Sequence, residues 1–118
     1  MDITIYHNPR CSKSRQTLAL IQEAGIEPNI VEYLKNPPSE KTLSHLLDLL
    51  KMEPRELMRR QEAEYREAGL DDTSLDRESL IRAMHEHPKL IERPIVVAGN
   101  RAVIGRPPEN VLELLSDG

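Results

Sequence analysis

Residues 3–15 read ITIYHNPRCSKSR, and they join an apolar segment to an amphipathic one. Apolar and polar residues alternate over 3–6, which predicts a β-strand. Leu18 and Ile21 then recur at helical spacing, which predicts an α-helix ending near a glycine. The only cysteine of the chain, Cys11, therefore lies at a strand-to-helix junction.

The junction is a place where a thiol becomes reactive. Unpaired N–H groups of the first helical turn point toward Cys11 and favour the thiolate, and the same donors suit an oxyanion. Arg10, Lys13 and Arg15 add positive charge nearby, and His7 would add more if it were protonated. Because these polar neighbours make a poor lining for an apolar pocket, we interpret Cys11 as a reactive thiol rather than an inert buried one.

Length and composition limit the possible function classes. The 118 residues fit a single domain over 1–118, and the core must be aliphatic because the chain has no Phe or Trp and only three Tyr. Few aromatic residues and a net charge of −4 argue against binding nucleic acid or anionic membranes. The sequence shows no secretion signal and no membrane-spanning run, so we expect a cytoplasmic protein.

A single cysteine cannot form an internal disulfide. Any redox cycle at Cys11 must therefore take its second thiol from another molecule.

The pattern along the chain predicts the order βαβ, helices, ββα. A second strand over about 28–34 would lie parallel to the first, and 94–104 reads as an antiparallel hairpin around Gly99-Asn100. Between them, about 39–90 is a helical insertion. Its predicted helices begin at Ser39, run from Pro54 to Gly69, and run from Asp76 to about His87. We therefore expect an α/β, thioredoxin-like fold with a mixed four-stranded sheet.

Several arginines are candidates for binding an oxyanion, which the planar guanidinium does with paired hydrogen bonds. Arg93 and Arg106 flank the predicted hairpin, near the ends of the sheet, where both can converge on Cys11. Arg59 and Arg60 lie in a Glu-rich segment predicted to be helical, where an arginine ordinarily forms ion pairs with glutamates along the helix. The sequence does not choose between Arg59 and Arg60 as an oxyanion ligand.

Two further sequence features are a proline that suggests a cis peptide bond and a His-Glu-His segment that could suggest a metal site. Pro94 opens the strand expected nearest to Cys11, where a thioredoxin-like fold uses a cis peptide bond. His85-Glu86-His87 lacks the further convergent ligands of a zinc site, so we expect no metal.

Four ordered motifs together resemble one family. They are His7-Asn8-Pro9-x-Cys11-x-x-Ser14-Arg15, Tyr33-Leu34 with Asn36-Pro37-Pro38, Glu92-Arg93-Pro94-Ile95-Val96-Val97, and Arg106-Pro107. Over essentially its whole length the chain resembles the glutaredoxin-coupled arsenate reductase (ArsC) family, within a short single-cysteine subfamily.

The resemblance implies a mechanism and its residues. Cys11 would attack arsenate to form an arseno-cysteine adduct, with Arg59, Arg93 and Arg106 binding the oxyanion, to which Arg15 is added as a further candidate. His7 and Ser14 match positions associated with thiolate formation. Glutathione would be a co-substrate and glutaredoxin a partner, with no tightly bound cofactor and a monomer as the default state.

Two other functions are compatible with the sequence. One is a glutathione-dependent oxidoreductase acting on another oxyanion or on mixed disulfides. The other is a redox-sensing regulator of the Spx type, which contacts RNA polymerase and shares the fold. Many such regulators carry a Cys-x-x-Cys switch, whereas here Ser14 occupies the second position, and Arg93 and Arg106 would have no obvious purpose in a protein contact. Both observations favour the enzyme.

Overall fold

The computed structural model describes residues 2–115. The chain forms two compact units, which we call the sheet unit (Met1–Asn36 with Arg93–Gly118) and the helical unit (Pro37–Glu92). The helical insertion predicted for about 39–90 lies within the helical unit. The prediction of a single domain stays a prediction, and its residues 1 and 116–118 lie outside the described residues.

The sheet unit contains a mixed four-stranded sheet in the order β2-β1-β3-β4. Its strands are β1 (Ile3–His7), β2 (Asn29–Glu32), β3 (Ile95–Ala98) and β4 (Arg101–Ile104). β1 pairs with β2 in parallel and with β3 antiparallel, and β3 forms the predicted hairpin with β4. The predicted sheet is thus confirmed, except that β2 ends before residue 34. It stops because the N–H groups of Lys35 and Asn36 both donate to the Glu32 carbonyl, which closes a turn.

Two helices cover the sheet. α1 runs over Ser12–Glu23, and a 3₁₀ turn at Pro108–Val111 leads into α5 (Leu112–Leu115). Side chains from both elements and from the strands form an aliphatic core, namely Ile3, Ile5, Ile21, Val96, Val111 and Leu114. Full burial of one such side chain contributes about 1.5–3 kcal/mol. This core holds the strand-to-helix junction at the first turn of α1 in place.

The helical unit contains α2 (Glu40–Leu50), α3 (Ala63–Glu67) and α4 (Arg77–Glu86). The predicted start of α2 is confirmed, because the Ser39 hydroxyl accepts the Thr42 N–H, and its stripe Leu43, Leu46 and Leu47 is buried. α4 begins after Asp76, whose carboxylate accepts the Ser79 N–H, and Pro88 opens a 3₁₀ turn beyond its end.

The prediction of a helical segment from Pro54 to Gly69 is wrong for its middle. A 3₁₀ turn occupies Pro54–Leu57, and Met58 then adopts extended geometry and bridges to Ile91. The Arg59 N–H donates to the Leu90 carbonyl at 2.6 Å, so it is not available for a helical hydrogen bond. A composition typical of helix is overridden here by pairing with a distant segment.

The element order and the sheet order together make this an α/β, thioredoxin-like fold, as the sequence predicts. None of the helices between residues 2 and 115 combines the length and the hydropathy that a bilayer-spanning segment needs.

Candidate active site

Cys11 lies in a short, well-fixed loop between β1 and α1. Its own N–H donates to the Asn8 carbonyl at 3.0 Å, and the Asn8 side-chain oxygen accepts the Arg10 N–H at 3.0 Å. From one turn into the helix, Arg15 Nη1 donates to the Pro9 carbonyl at 2.9 Å. These bonds position Cys11 as the N-cap residue of α1, with extended backbone geometry and a half-buried side chain.

The environment of Cys11 favours the thiolate. Partial burial opposes ionisation, but the Ser14 N–H, the Arg93 guanidinium and the Lys13 N–H outweigh it, and the pKa of the thiol falls below its ordinary value of 9.0. The Ser14 and Lys13 N–H groups belong to the first turn of α1, so the helix N-terminus lowers the pKa of Cys11 through these backbone donors. The side-chain cation that lowers this pKa is Arg93, rather than the Arg10, Lys13 and Arg15 charges considered from the sequence.

Arg93 and Arg106 converge on Cys11, as predicted from their places beside the hairpin. Arg93 immediately precedes β3 and hydrogen-bonds to the thiol. Arg106 follows β4, and its Nη1 donates to Cys11 Sγ across a long 3.9 Å contact. Two guanidinium groups and the first turn of α1 therefore surround one nucleophilic atom. This donor set suits an anion bound against the sulfur.

A backbone hydrogen bond links the chain segments that carry Arg93 and Arg106. The Arg93–Pro94 peptide bond is cis, in agreement with the expectation for Pro94, and the Arg106–Pro107 bond is also cis. The buried Gly105 donates its N–H to the Pro94 carbonyl at 2.9 Å. This bond links the residue after Arg93 to the residue before Arg106, so it sets the spacing of the two guanidinium groups.

His7 and Ser14 form a buried pair behind the loop. His7 Nδ1 lies 2.6 Å from Ser14 Oγ, which also accepts the Asn8 N–H at 3.0 Å. Burial lowers the pKa of His7, which the nearby Glu32 carboxylate partly counteracts. The imidazole is therefore neutral near pH 7 and adds no positive charge at Cys11. Both side chains act as positioning residues: they hold Asn8, whose carbonyl holds the N–H of Cys11.

Three residues that support the site were missed by the sequence analysis. The Thr17 hydroxyl, buried in α1, lies 2.8 Å from the Lys13 carbonyl and 3.4 Å from the Gly105 carbonyl. A Cβ on Gly105 would collide with Thr17 and Pro94, so only glycine fits there. The Asn110 side-chain amide donates to the Ile104 and Arg106 carbonyls. A glycine between a strand and Arg-Pro-Pro was the only one of these signals visible in the sequence.

The other predicted arginines are placed differently. Arg15 is exposed and donates to the Pro9 carbonyl, so at least one of its N–H groups supports the loop. Arg59 and Arg60 belong to the helical unit, where Arg59 pairs with Glu62 at 3.7 Å and Arg60 Nε donates to the Arg55 carbonyl at 3.4 Å. Oxyanion binding by Arg15, Arg59 or Arg60 stays a prediction.

Within residues 2–115, no group of His, Cys, Asp and Glu side chains has the arrangement of a metal site. His85, from the sequence His85-Glu86-His87, instead has Nδ1 2.8 Å from the Pro38 carbonyl. The chemistry that the described residues can perform at Cys11 is nucleophilic attack by sulfur on an oxyanion.

Comparisons with known proteins agree with this description of the site. The model of the ArsC family matches residues 6–114. The Escherichia coli (strain K12) protein YfgD, whose name calls it uncharacterized, is 57% identical over 114 residues, which is 96% of each chain. An arsenate reductase of Rhizobium meliloti (strain 1021) is 49% identical over 117 residues, or 99% of this chain and 84% of that protein.

A solved structure shows the same fold. The arsenate reductase from Vibrio cholerae superimposes with a TM-score of 0.93 at 52% identity, over 96% of this chain and 97% of that one. The family match spans nearly the whole described chain, including Cys11, Arg93 and Arg106. This chain therefore belongs to the ArsC family.

Proposed function

We propose that this protein reduces arsenate to arsenite, with the Cys11 thiolate as nucleophile and with glutathione and glutaredoxin as the source of electrons. One observation carries the proposal: the thiol whose pKa is lowered is also the atom on which Arg93 and Arg106 converge. A nucleophile surrounded by anion donors is what attack on an oxyanion requires. Relatives named arsenate reductase support arsenate as that oxyanion.

The first step forms a covalent adduct. The Cys11 sulfur attacks As(V), a sulfur–arsenic bond forms, and one arsenic–oxygen bond breaks with the oxygen leaving as water after protonation. The guanidinium groups of Arg93 and Arg106 stabilise the charge on the remaining oxygens. Glutathione then replaces a second oxygen on arsenic, which again leaves as water.

The second thiol completes the reduction. A glutaredoxin thiolate attacks the glutathione sulfur, so the arsenic–sulfur electron pair stays on arsenic and reduces it to As(III), while a glutathione–glutaredoxin disulfide forms. Hydrolysis of the Cys11–As(III) bond releases arsenite and restores the thiol. Because the chain has one cysteine, both electron-donating thiols must come from outside it. Such a cycle needs a compartment that keeps thiols reduced, and we place it in the cytoplasm with the protein acting as a monomer.

The direct test is arsenate-dependent NADPH oxidation in the presence of glutathione, glutaredoxin and glutathione reductase. Cys11→Ser should abolish the rate, and Arg93→Ala should lower it roughly 100- to 1,000-fold, the usual effect of removing one oxyanion donor. Arg101→Ala, at an exposed arginine on β4, is the matched control and should retain the wild-type rate. A wild-type protein with an acidic thiol but no arsenate-dependent rate would contradict the proposal and favour another oxyanion or mixed-disulfide substrate.

A further inference from the structure

A groove of about 250 Å³ lies beside the Cys11 loop in the sheet unit. One wall is the loop segment His7–Arg10, and the other consists of Glu32, Leu34 and Lys35 at the end of β2 and in the turn that follows. Cys11 follows Arg10, and its N–H donates to the Asn8 carbonyl at 3.0 Å, so the loop that forms this wall of the groove also carries the nucleophile.

Both walls are fixed before any ligand arrives. His7 and Glu32 are register partners in the parallel β1–β2 pair, which holds the two walls at strand spacing. The Lys35 and Asn36 N–H groups bind the Glu32 carbonyl at 3.0 and 2.9 Å, which fixes the turn. A groove with fixed walls loses little conformational entropy when a small molecule binds.

The charges of the groove select the class of ligand. The Glu32 carboxylate, 41% exposed, and the Lys35 ammonium, 77% exposed, form an ion pair at 3.7 Å. A pair this exposed contributes little free energy, so a ligand with matching charges can replace it. Arg10, in the opposite wall, is also exposed. Leu34 adds apolar surface, with 41% of the residue exposed. A ligand whose charges match those of the groove is a small molecule with one ammonium group, more than one carboxylate and a short apolar stem.

We infer that this groove binds the thiol co-substrate, a zwitterionic peptide thiol of the glutathione type, and presents its sulfur to the adduct on Cys11. The ligand ammonium pairs with Glu32, and its carboxylates pair with Lys35 and Arg10. The inference rests on the proposed function for a glutathione-type thiol as co-substrate, and on the groove for where that thiol binds and which residues hold it.

Binding is tested without turnover by titrating the ¹⁵N-labelled protein with S-methylglutathione, which keeps the charges of glutathione but cannot react. We expect saturable chemical-shift changes at the amides of residues 7–10 and 32–35. Lys35→Glu should weaken binding about three- to tenfold, the effect of reversing one exposed charge contact. Lys41→Glu, at an exposed lysine in α2, is the matched control and should bind as wild type does.

Three results would overturn the inference, two with S-methylglutathione alone and one with glutaredoxin added. One is the absence of saturable shifts at millimolar S-methylglutathione, and another is a set of shifts confined to amides outside the groove. Shifts at the groove that arise only on addition of glutaredoxin would also overturn it, because they would assign the surface to a protein.

A kinetic measurement separates this inference from the proposed function. Lys35→Glu should raise the KM for glutathione about three- to tenfold with little change in kcat, and should leave the rate with uncharged 2-mercaptoethanol unchanged. If arsenate is not a substrate, both rates are absent while the binding of S-methylglutathione remains. Failure of the function and failure of the groove therefore give different results.

Discussion

His7 Nδ1 and Ser14 Oγ lie 2.6 Å apart, both buried, on opposite sides of the loop that carries Cys11. The contact joins the last residue of β1 to the first turn of α1. It therefore sets the distance across which the loop closes, and with it the position of the nucleophile.

Replacement of Ser14 should lower the stability of the fold while changing the pKa of the Cys11 thiol little. Ser14→Ala leaves the buried His7 ring and the Asn8 N–H without the hydroxyl that serves both, which should cost about 1–3 kcal/mol in the free energy of unfolding. The backbone N–H that lowers the pKa of Cys11 remains in this variant. Urea denaturation measures the loss of stability, and exposed Ser12→Ala in the same turn should stay within about 0.5 kcal/mol of wild type. Equal losses in both variants would contradict the role given to the Ser14 hydroxyl.

His7 should make stability depend on pH. Its pKa is lowered by burial in the folded state, whereas the unfolded chain has the ordinary value of 6.5. The stability that buried, neutral His7 contributes to the fold is fully present above pH 6.5. It is lost as the pH falls from 6.5 toward the pKa of His7 in the folded state, because the unfolded state binds the proton more readily. His7→Gln should flatten this part of the curve of unfolding free energy against pH. His45→Gln, at an exposed histidine of α2, should leave it unchanged, and an identical slope in all three proteins would refute the assignment.

Arg93 should be the main side-chain cause of the acidic thiol. Removing its hydrogen bond and charge in Arg93→Ala should raise the pKa of Cys11, and Arg93→Lys, which keeps the charge but loses the planar fork, should give a smaller rise. The pH dependence of iodoacetamide alkylation gives this pKa directly. Arg101→Ala is the control and should leave the alkylation midpoint in place. A midpoint that does not move in Arg93→Ala would contradict this role of Arg93 and would leave the first-turn N–H groups of α1 and the Arg106 guanidinium as the groups that act on the thiol.

Substitution of Gly105 by a larger residue should be destabilising for a reason that the other glycines between residues 2 and 115 do not share. In Gly105→Ala the new methyl meets Thr17 and Pro94, so we expect a loss of about 1–3 kcal/mol from overpacking and displacement of Arg106 with loss of activity. At Gly99 a Cβ meets nothing, and the left-handed backbone (φ +62°) alone should cost about 1–2 kcal/mol. Thermal denaturation and the arsenate assay together separate the two variants: full activity in Gly105→Ala would contradict the proposed spacing role.

The parts of the site that depend on the local sequence pattern were predictable. The local pattern alone predicts that a cysteine between an alternating segment and an amphipathic one lies at a helix N-terminus, and Arg93 and Arg106 flank a hairpin that Gly99-Asn100 indicates. Once β3 pairs with β1, both arginines are brought to the end of the sheet where α1 begins. Convergence on Cys11 follows from the topology.

Features that depend on distant contacts were not predictable. The contact between Thr17 and Gly105 spans 88 positions, and the glycine before Arg-Pro-Pro does not by itself indicate which residue packs against it. The neutral state of His7 follows from its burial beside Ser14 of α1, which the residues around His7 in the sequence do not indicate. The segment after Pro54 has a helical composition, yet Met58 pairs with Ile91 and ends the helix pattern. In each case a tertiary contact overrides or completes a local preference.

A single thiol with a lowered pKa is vulnerable to damage in an oxidising environment. Thiolates react with peroxide to give sulfenic acid, and proteins with a second nearby cysteine trap that species as a reversible disulfide. Because the sequence has no second cysteine, sulfenic acid at Cys11 can be reversed only by a thiol of another molecule that reaches the sulfur before further oxidation makes the damage permanent. The supply of external thiol thus limits how long Cys11 stays reactive in each molecule, in addition to its role as electron donor in the proposed cycle.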